Sequence, residues 1–396
     1  MRVLIVGFST RALAESAVRT DHDIVTLDYF GDRDQQALVE NYSLKRDFDS
    51  SYSAEALARA SRDLHCDGVV YGASLENHPA LVADLAKERR LLGNEPDVLS
   101  QVRDWRTLRS FCRAEGIPVA ETVLAGEEGQ ASPSDGWLRK PVRGGGGRGI
   151  RVWDGEALDD EHVLQAYVGG QPASAAFVGD GKRSVLIGVS EQVIGRRELG
   201  ARDFTWCGNI LPLELSADGY PELLEDINTI TSQLTRRFGL CGVNGIDFAV
   251  TRDSSGRHRP VLLEVNPRYT ASMELVERAC RLNVFSLHMQ AMEGQLPTLP
   301  RTRCLDPGSG TFGKAIVYAR GRVTMPETDD WVELGRRDVP HPGEKIEAGH
   351  PICTVFARGI SRRTCWAGLL EETSMVRQET GDQTPASFSN GTGGAS

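Results

Sequence analysis

The sequence predicts an α/β protein of two or three domains that begins with a Rossmann-like layer. Its 396 residues exceed what a single hydrophobic core usually organises. Residues 2–7 form an apolar run that ends in glycine, residues 9–18 have helical spacing, and residues 23–27 form a second apolar run. This order of strand, helix and strand is typical of a parallel sheet. A further apolar run at residues 68–72 extends the layer to about residue 95.

Composition and charge exclude several classes of protein. Apolar residues make up 40% of the chain, and its formal net charge of −10 argues against a broad surface for nucleic acid. The apolar run at the N-terminus is shorter than the core of a signal peptide, and no stretch approaches the ~20 apolar residues that span a bilayer. We therefore expect a cytoplasmic protein with small-molecule partners, no nucleic-acid or membrane partner, and a homodimer as a possible assembly.

The pattern changes near residue 97, where a second domain is predicted to begin. A helix is expected at residues 98–115, short strands at 137–189 and another helix at 221–238. Three strand signals follow, near residues 246–250, 261–265 and 312–319. The predicted parts are a Rossmann-like domain at 1–97, a central domain at 98–300 with a lid at about 125–190, a β-rich region at 301–370, and a disordered tail at 371–396.

Lys140 precedes a run of four glycines that predicts a phosphate clamp. Without side chains, the backbone N–H groups of Gly144, Gly145, Gly146 and Gly147 can approach phosphate oxygens, and Lys140 adds a positive charge. A flexible hairpin tip is the alternative. The run also contains a Gly-x-Gly-x-x-Gly pattern, but that dinucleotide motif must open a helix, whereas residues 150–153 alternate like a strand. A nicotinamide oxidoreductase is therefore disfavoured.

Oxygen-bearing side chains on two predicted strands indicate a magnesium site. Asp247 lies on the first strand, and Glu264 and Asn266 lie two residues apart on the second, so that they face the same way. If the strands are neighbours, three ligands suited to Mg²⁺ converge. Solvated acidic residues on strands are the alternative. Arg268, two residues beyond Asn266, is a candidate to steady a phosphate or a developing oxyanion.

These residues give the chain a resemblance to the ATP-grasp superfamily. The resemblance implies an ATP-grasp fold with an N-terminal Rossmann-like preATP-grasp domain, central ATP-grasp subdomains and a small C-terminal β-rich region. The motifs that carry it are Lys140-Pro141 with the glycine run, residues 165–171, Asp247, and residues 264–268.

The resemblance implies a role for each of these residues. Lys140 and Gly144 to Gly147 would contact the phosphates of ATP, and Asp247, Glu264 and Asn266 would bind Mg²⁺, for which Mn²⁺ can substitute. Lys140 and Arg268 would act on the transferred phosphate as catalytic residues. The remaining cofactor-binding positions are the adenine hinge at Gln165, Ala166, Tyr167 and Val168, and Gln171 beside the ribose.

Two departures from the family pattern accompany the resemblance. Many members carry a first phosphate-binding lysine after an aspartate near residue 104, where this chain offers Arg103 or Arg106 instead. Gln171 also replaces a carboxylate at the expected ribose position, which weakens its hydrogen bonding.

Within the superfamily, residues 7–17, 28–34 and 268–274 resemble a subgroup of predicted ATP-dependent carboxylate–amine ligases. The resemblance implies amide formation through an acyl phosphate, with ADP and phosphate as products. Some relatives join glutamate to an amine in the biosynthesis of one-carbon cofactors such as methanofuran. A bicarbonate-activating carboxylase and an ATP-binding regulator without turnover are the alternatives.

At the N-terminus, Ser9 and Arg11 follow the first strand and begin a helix. A helix N-terminus attracts anions, so these two residues are candidates to hold an anionic group of the substrate. A turn that only supports the fold is the alternative.

Overall fold

The computed structural model describes residues 1–215, 219–298 and 310–382. It confirms the predicted α/β fold. The N-terminal part is a five-stranded parallel sheet in the order β3-β2-β1-β4-β5. Helices α1 to α4 connect its strands, because parallel neighbours need crossover connections. These elements are β1 (Arg2–Val6), α1 (Arg11–Ala17), β2 (Asp23–Asp28), α2 (Arg33–Gln36), β3 (Glu40–Ser43), α3 (Ala54–Ala60), β4 (Gly68–Tyr71), α4 (Pro79–Leu85) and β5 (Arg90–Leu91).

The helix predicted at residues 98–115 is two helices separated by a break at Arg103 and Asp104. Asp104 has an extended backbone, and its side chain accepts hydrogen bonds from the N–H groups of Arg106 and Thr107, so that it caps the second helix. Arg103 ends the first helix and is therefore free to turn toward the central sheet. The two helices are α5 (Pro96–Val102) and α6 (Trp105–Ala114).

A four-stranded antiparallel sheet in the order β6-β9-β7-β8 carries the glycine run on the connection between β7 and β8. We call it the lid sheet. Its small core includes Trp137, Trp153 and Leu164. The strands are β6 (Thr122–Val123), β7 (Trp137–Pro141), β8 (Arg151–Val152) and β9 (His162–Ala166).

The central sheet has seven antiparallel strands in the order β14-β13-β10-β11-β12-β15-β18. Helix α7 packs on one face around Phe177 and Phe248, and α8 and α9 contribute to the core on the other. Its elements are β10 (Gln171–Asp180), β11 (Ser184–Ile194), β12 (Trp206–Leu211), α7 (Tyr220–Phe238), β13 (Cys241–Arg252), β14 (His258–Asn266), α8 (Ser272–Cys280), α9 (Val284–Met292), β15 (Thr311–Tyr318) and β18 (Pro351–Gly359).

The C-terminal region differs from its prediction. A two-stranded sheet of β16 (Val323–Thr324) and β17 (Lys345–Ile346) is present, but the chain then forms a long helix, α10 (Arg362–Thr380). The prediction of a disordered tail from residue 371 is therefore wrong for residues 371–382, where Gly381 ends the helix and Asp382 pairs with Arg377. Leu369 and Val376 are fully buried on this helix and pack with β15 and β18. The remainder of the predicted tail, residues 383–396, lies outside the described residues.

Candidate active site

The two predicted ligand strands are neighbours in the central sheet. β13 and β14 pair in antiparallel register, with Asp247 opposite Glu264 and Gly245 opposite Asn266. A register shift between Asp247 and Phe248 interrupts the regular ladder at this point. The pairing brings the three proposed magnesium ligands together, as their strand positions predicted.

Asp247 is held by two side-chain amides. Its Oδ1 accepts a hydrogen bond from Gln192 Nε2 at 2.8 Å, and its Oδ2 accepts one from Asn266 Nδ2 at 2.9 Å. Burial raises the pKa of Asp247 to about 6, and the negative charge of Glu264 acts in the same direction. Two neighbouring carboxylates repel each other, so a divalent cation between them would be favourable.

Lys140 reaches this group from the lid sheet. Its Nζ lies 3.1 Å from Glu264 Oε2 and 3.3 Å from Gln165 Oε1, and 5.1 Å from the centre of the Trp105 ring. Burial opposes ionisation of Glu264, but the charges of Lys140 and Arg103 lower its pKa to about 2. Glu264 is therefore a carboxylate at neutral pH.

Arg103 joins the site, whereas Arg106 does not. Arg103 Nη1 donates to Glu264 Oε1 at 2.7 Å, and Arg103 Nε donates to Asn77 Oδ1 at 2.9 Å. Arg106 points away, with 60% of its side chain exposed and Glu127 Oε1 at 2.8 Å. Of the two arginines that the sequence left open, Arg103 is the one placed to take over the missing lysine contact.

Arg268 links Asn266, one of the three proposed magnesium ligands, to the N-terminal domain. Its Nη2 donates to Asn266 Oδ1 at 3.3 Å, and its Nε donates to Glu76 Oε1 at 2.7 Å. Glu76 lies in a short 3-10 helix (Leu75–Asn77) that follows β4. Sequence patterns gave no signal for Glu76 or Asn77, because neither belongs to a recognisable motif.

The glycine run is docked on the loop that enters β12. Trp206 N donates to Gly146 O at 3.0 Å. Gly147 has a φ of +74°, and a Cβ placed on it would lie only 1.8 Å from Phe204 O. Glycine is therefore required at position 147, whereas a Cβ on Gly145 would meet no atom within 4 Å.

The predicted adenine hinge connects the lid sheet to the central sheet. Gln165 lies at the end of β9, and its Nε2 donates to Leu263 O at 3.1 Å. Ala166 and Tyr167 are bound through their backbone N–H groups to Glu121 O and Gly136 O, at 2.8 and 2.9 Å. Val168 follows in the connection to β10. The hinge role of these four residues stays a prediction.

A carboxylate that the sequence did not single out lies beside Gln171. Gln171 Nε2 donates to Glu191 Oε2 at 3.3 Å. Glu191 is itself paired with Arg362, whose Nε and Nη2 lie 2.6 and 2.5 Å from the two carboxylate oxygens. A carboxylate therefore lies beside position 171 on the neighbouring strand β11, already paired with an arginine, and the ribose role of Gln171 stays a prediction.

Arg11 does not contact the candidate site. Its guanidinium is almost fully buried and donates to Glu274 and Asp338, with four N···O distances between 2.5 and 3.1 Å. Lys314 Nζ lies 2.6 Å from Glu274 Oε2, and Asp34 lies 3.6 Å from Arg11 Nε. These five residues are called the Arg11 cluster. The expectation that Arg11 holds a substrate anion is wrong, because its donors are already occupied by carboxylates.

The proposed magnesium site would contain only two carboxylates. Within residues 1–215, 219–298 and 310–382, no three His, Cys, Asp or Glu side chains gather at a possible metal position. Asp247, Glu264 and the Asn266 amide oxygen fit Mg²⁺, which uses few protein ligands and completes its octahedron with phosphate oxygens and water. Among the described helices, none is long and apolar enough to cross a membrane.

Residues 105–272 match the family model of the ATP-grasp domain. The chain therefore contains an ATP-grasp domain, which confirms the superfamily predicted from its motifs. No curated protein matches the chain.

Solved structures similar to this chain cover almost all of it. A biotin carboxylase from Campylobacter jejuni has a TM-score of 0.69 at 14% identity, over 95% of this chain and 91% of its own. An N5-carboxyaminoimidazole ribonucleotide synthetase from Thermotoga maritima has a TM-score of 0.65 at 15% identity, over 94% and 98%. An L-amino acid ligase from Bacillus licheniformis has a TM-score of 0.65 at 14% identity, over 95% and 97%. At these identities the likeness confirms the fold.

Proposed function

We propose that the protein is a carboxylate–amine ligase that uses Mg²⁺-ATP and forms an amide bond through an acyl phosphate. The observation that carries this proposal is the pairing of Asp247 with Glu264 on adjacent strands, beside Asn266 and facing Lys140. Two carboxylates, an amide oxygen and a lysine are the groups needed to hold a metal-bound triphosphate.

The first step transfers the γ-phosphoryl group to an oxygen of the substrate carboxylate. The bond from the γ-phosphorus to its bridging oxygen breaks, and ADP leaves. Bound Mg²⁺ would neutralise the phosphates. Lys140, Arg103 and Arg268 surround the acidic residues and would offset the negative charge that spreads over the transferred group. The reaction requires no nucleophilic side chain.

In the second step the amine nitrogen attacks the acyl carbon. A C–N bond forms, the C–O bond to phosphate breaks, inorganic phosphate leaves and the nitrogen loses a proton. Water would destroy the acyl phosphate, so the site must be covered during the reaction. The glycine run, whose Gly146 and Gly147 contact the loop that enters β12, would close over the phosphates.

The test is ADP release by the purified chain with Mg²⁺-ATP and pools of carboxylic acids and amines. Release that requires both an acid and an amine supports the ligase. The narrower proposal, a glutamate–amine ligase of methanofuran-type cofactor biosynthesis, predicts that glutamate is the active acid. ATP binding without ADP release against any pool would instead indicate a regulator.

A bicarbonate-activating enzyme is the second candidate, since two of the similar structures are a biotin carboxylase and a carboxyaminoimidazole ribonucleotide synthetase. This candidate predicts ADP release with bicarbonate in place of the organic acid. Release that is unchanged after removal of bicarbonate would exclude it.

A further inference from the structure

The segment Asn266-Pro267-Arg268 carries one proposed magnesium ligand and the arginine proposed to act on the transferred phosphate. It begins at the last residue of β14 and then leaves the central sheet. The pairing of β14 with β13 ends where Asn266 lies opposite Gly245. Beyond that pair, the backbone needs other hydrogen-bond partners to keep a fixed position. These partners come from the N-terminal half of the chain.

Two buried side chains hold the carbonyl oxygen of Pro267. Asn94 Nδ2 donates to it at 3.0 Å, and the Tyr71 hydroxyl lies 3.1 Å from it. The same hydroxyl lies 3.1 Å from Asn94 O, so its single hydrogen is shared between the two carbonyl oxygens. Asn94 is 2% exposed and Tyr71 is 3% exposed. The two donors therefore fix the carbonyl that separates Asn266 from Arg268.

The amide of Asn94 has only one orientation that satisfies its neighbours. Its Oδ1 accepts a hydrogen bond from Cys241 N at 2.8 Å, and that N–H group can only donate. Its Nδ2 therefore faces Pro267 O, which can only accept, and also donates to Asn244 Oδ1 at 2.8 Å. Asn244 is itself fixed, because its Nδ2 donates to Gly242 O at 2.9 Å. A carboxylate at position 94 would place an oxygen against the Pro267 carbonyl.

Both ends of helix α5 bind the backbone around Asn266. Asn94 lies just before the helix and binds Pro267 O. Arg103 ends the helix, and its Nη1 donates to Val265 O at 2.9 Å. The carbonyls on either side of Asn266 are thus held from one short segment of the chain. Since a helix is stiff, the distance between its two contacts stays constant, and the backbone of Asn266 is held between them.

The side chains that depend on this backbone belong to the proposed metal site. Asn266 Nδ2 donates to Asp247 Oδ2 at 2.9 Å, and Asn266 Oδ1 accepts from Arg268 Nη2 at 3.3 Å. Because Pro267 lies between Asn266 and Arg268, a shift of its carbonyl moves both side chains at once. A displacement of about 1 Å in a reacting site can cost roughly a hundredfold in rate.

We propose that Asn94 and Tyr71 are positioning residues of the metal site. By fixing Pro267 O, they aim Asn266 at the divalent cation and Arg268 at the transferred phosphate. This proposal rests on the proposed ligase function and adds two residues that act through the backbone. A merely structural role would lower the stability of the protein and leave the metal affinity of the folded molecules unchanged.

The first experiment measures Mn²⁺ binding to the full-length chain by electron paramagnetic resonance, with a non-hydrolysable ATP analogue present. Asn94→Asp keeps the shape of the side chain and the acceptor for Cys241 N, but it loses the donor to Pro267 O. We expect the Kd for Mn²⁺ to rise roughly tenfold, because groups that orient metal ligands contribute that much to affinity. Binding of ATP in the presence of EDTA should be unchanged.

The matched control is Asn283→Asp. Asn283 Nδ2 donates to Ser16 O at 3.1 Å, and its Oδ1 accepts from Ser286 N at 2.7 Å. The control therefore also loses one amide donor to a backbone carbonyl and keeps its acceptor. It joins α1 to α9, which carry none of the proposed ligands, so its Kd for Mn²⁺ should equal that of wild type. An unchanged Kd in folded Asn94→Asp, or an equal rise in both variants, would overturn the proposal.

Tyr71→Phe tests the same carbonyl with a smaller change. The variant keeps the ring and removes one hydroxyl, so we expect the Kd for Mn²⁺ to rise about threefold. The kcat for ADP release should fall while KM for ATP is unchanged, and added Mg²⁺ should restore part of the rate, which a loss of folded protein would not allow. Thermal unfolding verifies that the variants fold. If Asn94→Asp does not fold, Tyr71→Phe alone decides, and an unchanged Kd would refute the positioning role.

Failure of the ligase proposal would give a different result. A wild-type chain that binds Mn²⁺ with the nucleotide analogue but releases no ADP with any acid and amine would refute the ligase. The Mn²⁺ comparison of the variants would still test Asn94 and Tyr71. A wild-type chain that binds no Mn²⁺ would refute the metal site and, with it, the positioning role.

Discussion

The candidate active site and the Arg11 cluster are both buried networks of arginine, lysine and carboxylates, yet their hydrogen bonding differs. In the Arg11 cluster, the Arg11 guanidinium donates to carboxylates with all three of its nitrogens. In the candidate site, Glu76 Oε2 has no partner among the described residues, and Asp247 has neutral amides as its hydrogen-bond partners. A saturated network holds domains together, whereas an incomplete one leaves groups for a ligand.

Each network holds at least one carboxyl with a raised pKa and at least one with a lowered pKa, so the pKa values do not separate the two networks. Burial raises the pKa of Asp34 in the Arg11 cluster to about 6, and, against the effect of burial, the charges of Lys140 and Arg103 lower the pKa of Glu264 in the candidate site to about 2. Burial alone would raise the pKa of Glu274, but Arg11 and Lys314 hold it well below its usual range. In the candidate site, the pKa of Asp247 is raised to about 6 by burial and by Glu264. Carboxylates whose pKa values differ strongly occur at functional sites and also in structural ion-pair networks, so the hydrogen-bond partners distinguish the two networks better than the pKa values do.

The largest effect is expected for Asp247→Asn. The variant keeps the shape and removes the charge, so we expect ADP release to fall at least about a thousandfold, equivalent to ~4 kcal/mol in the barrier. The free energy of unfolding should change little, because removal of a buried charge offsets the loss of one of the two hydrogen bonds that Asp247 accepts. Stopped-time ADP assays and urea unfolding measure the two quantities. Glu264→Gln should also lose ADP release. Full turnover in either variant would contradict the assignment of these residues as metal ligands.

Arg11→Met should lower the stability of the protein and leave ATP binding intact. It leaves the buried Glu274 and the partly buried Asp338 without their main partner, so we expect a loss of about 3 to 5 kcal/mol in the free energy of unfolding. Binding of Mg²⁺-ATP to the folded fraction should persist. Arg62→Met is the control, since Arg62 is 68% exposed and should change stability by less than about 0.5 kcal/mol. Equal stability of the two variants would show that the cluster is not structural.

Gly147→Ala tests the docked glycine run. The new Cβ would collide with Phe204 O, so we expect the loop to lose its closed position and kcat/KM for ATP to fall roughly tenfold. Gly145→Ala, where the Cβ meets nothing within 4 Å, is the matched control and should retain activity. Initial rates at varied ATP concentrations give kcat/KM for both variants. A similar loss in both variants would mean that general flexibility, and not docking, is what matters.

The smallest effect concerns an ion pair outside both networks. Hydrogen bonding to Arg109 lowers the pKa of Glu127 to about 2. A carboxyl whose pKa is lower in the folded state stabilises the protein above its unfolded pKa, and this contribution is lost as the pH falls from about 4.3 toward 2. Glu127→Gln should therefore lower stability by less than about 1 kcal/mol at pH 7. In pH-dependent urea unfolding, the difference from wild type should shrink below about pH 4.3 and vanish only near pH 2, and a larger difference in acid would contradict this sign.

By itself, the sequence determined the fold class and the residue types available to the candidate site. Residue type decides which groups can bind phosphate or magnesium, and strand alternation places Glu264 and Asn266 on one side of β14. Because residue type and order are local, Lys140 and the glycine run are recognisable as a candidate phosphate site from the sequence alone. Their assigned roles remain predictions that the variants above can test.

The tertiary structure alone decided which distant residues complete the site. Arg103 meets Glu264 across 161 positions of the chain, and Arg268 meets Glu76 across 192. Such pairs depend on how α5, the loop after β4 and the central sheet pack, and local patterns carry no information about that packing. Helix α10 was missed for the same reason, since its weakly apolar residues become a buried face only when β15 and β18 are beside them.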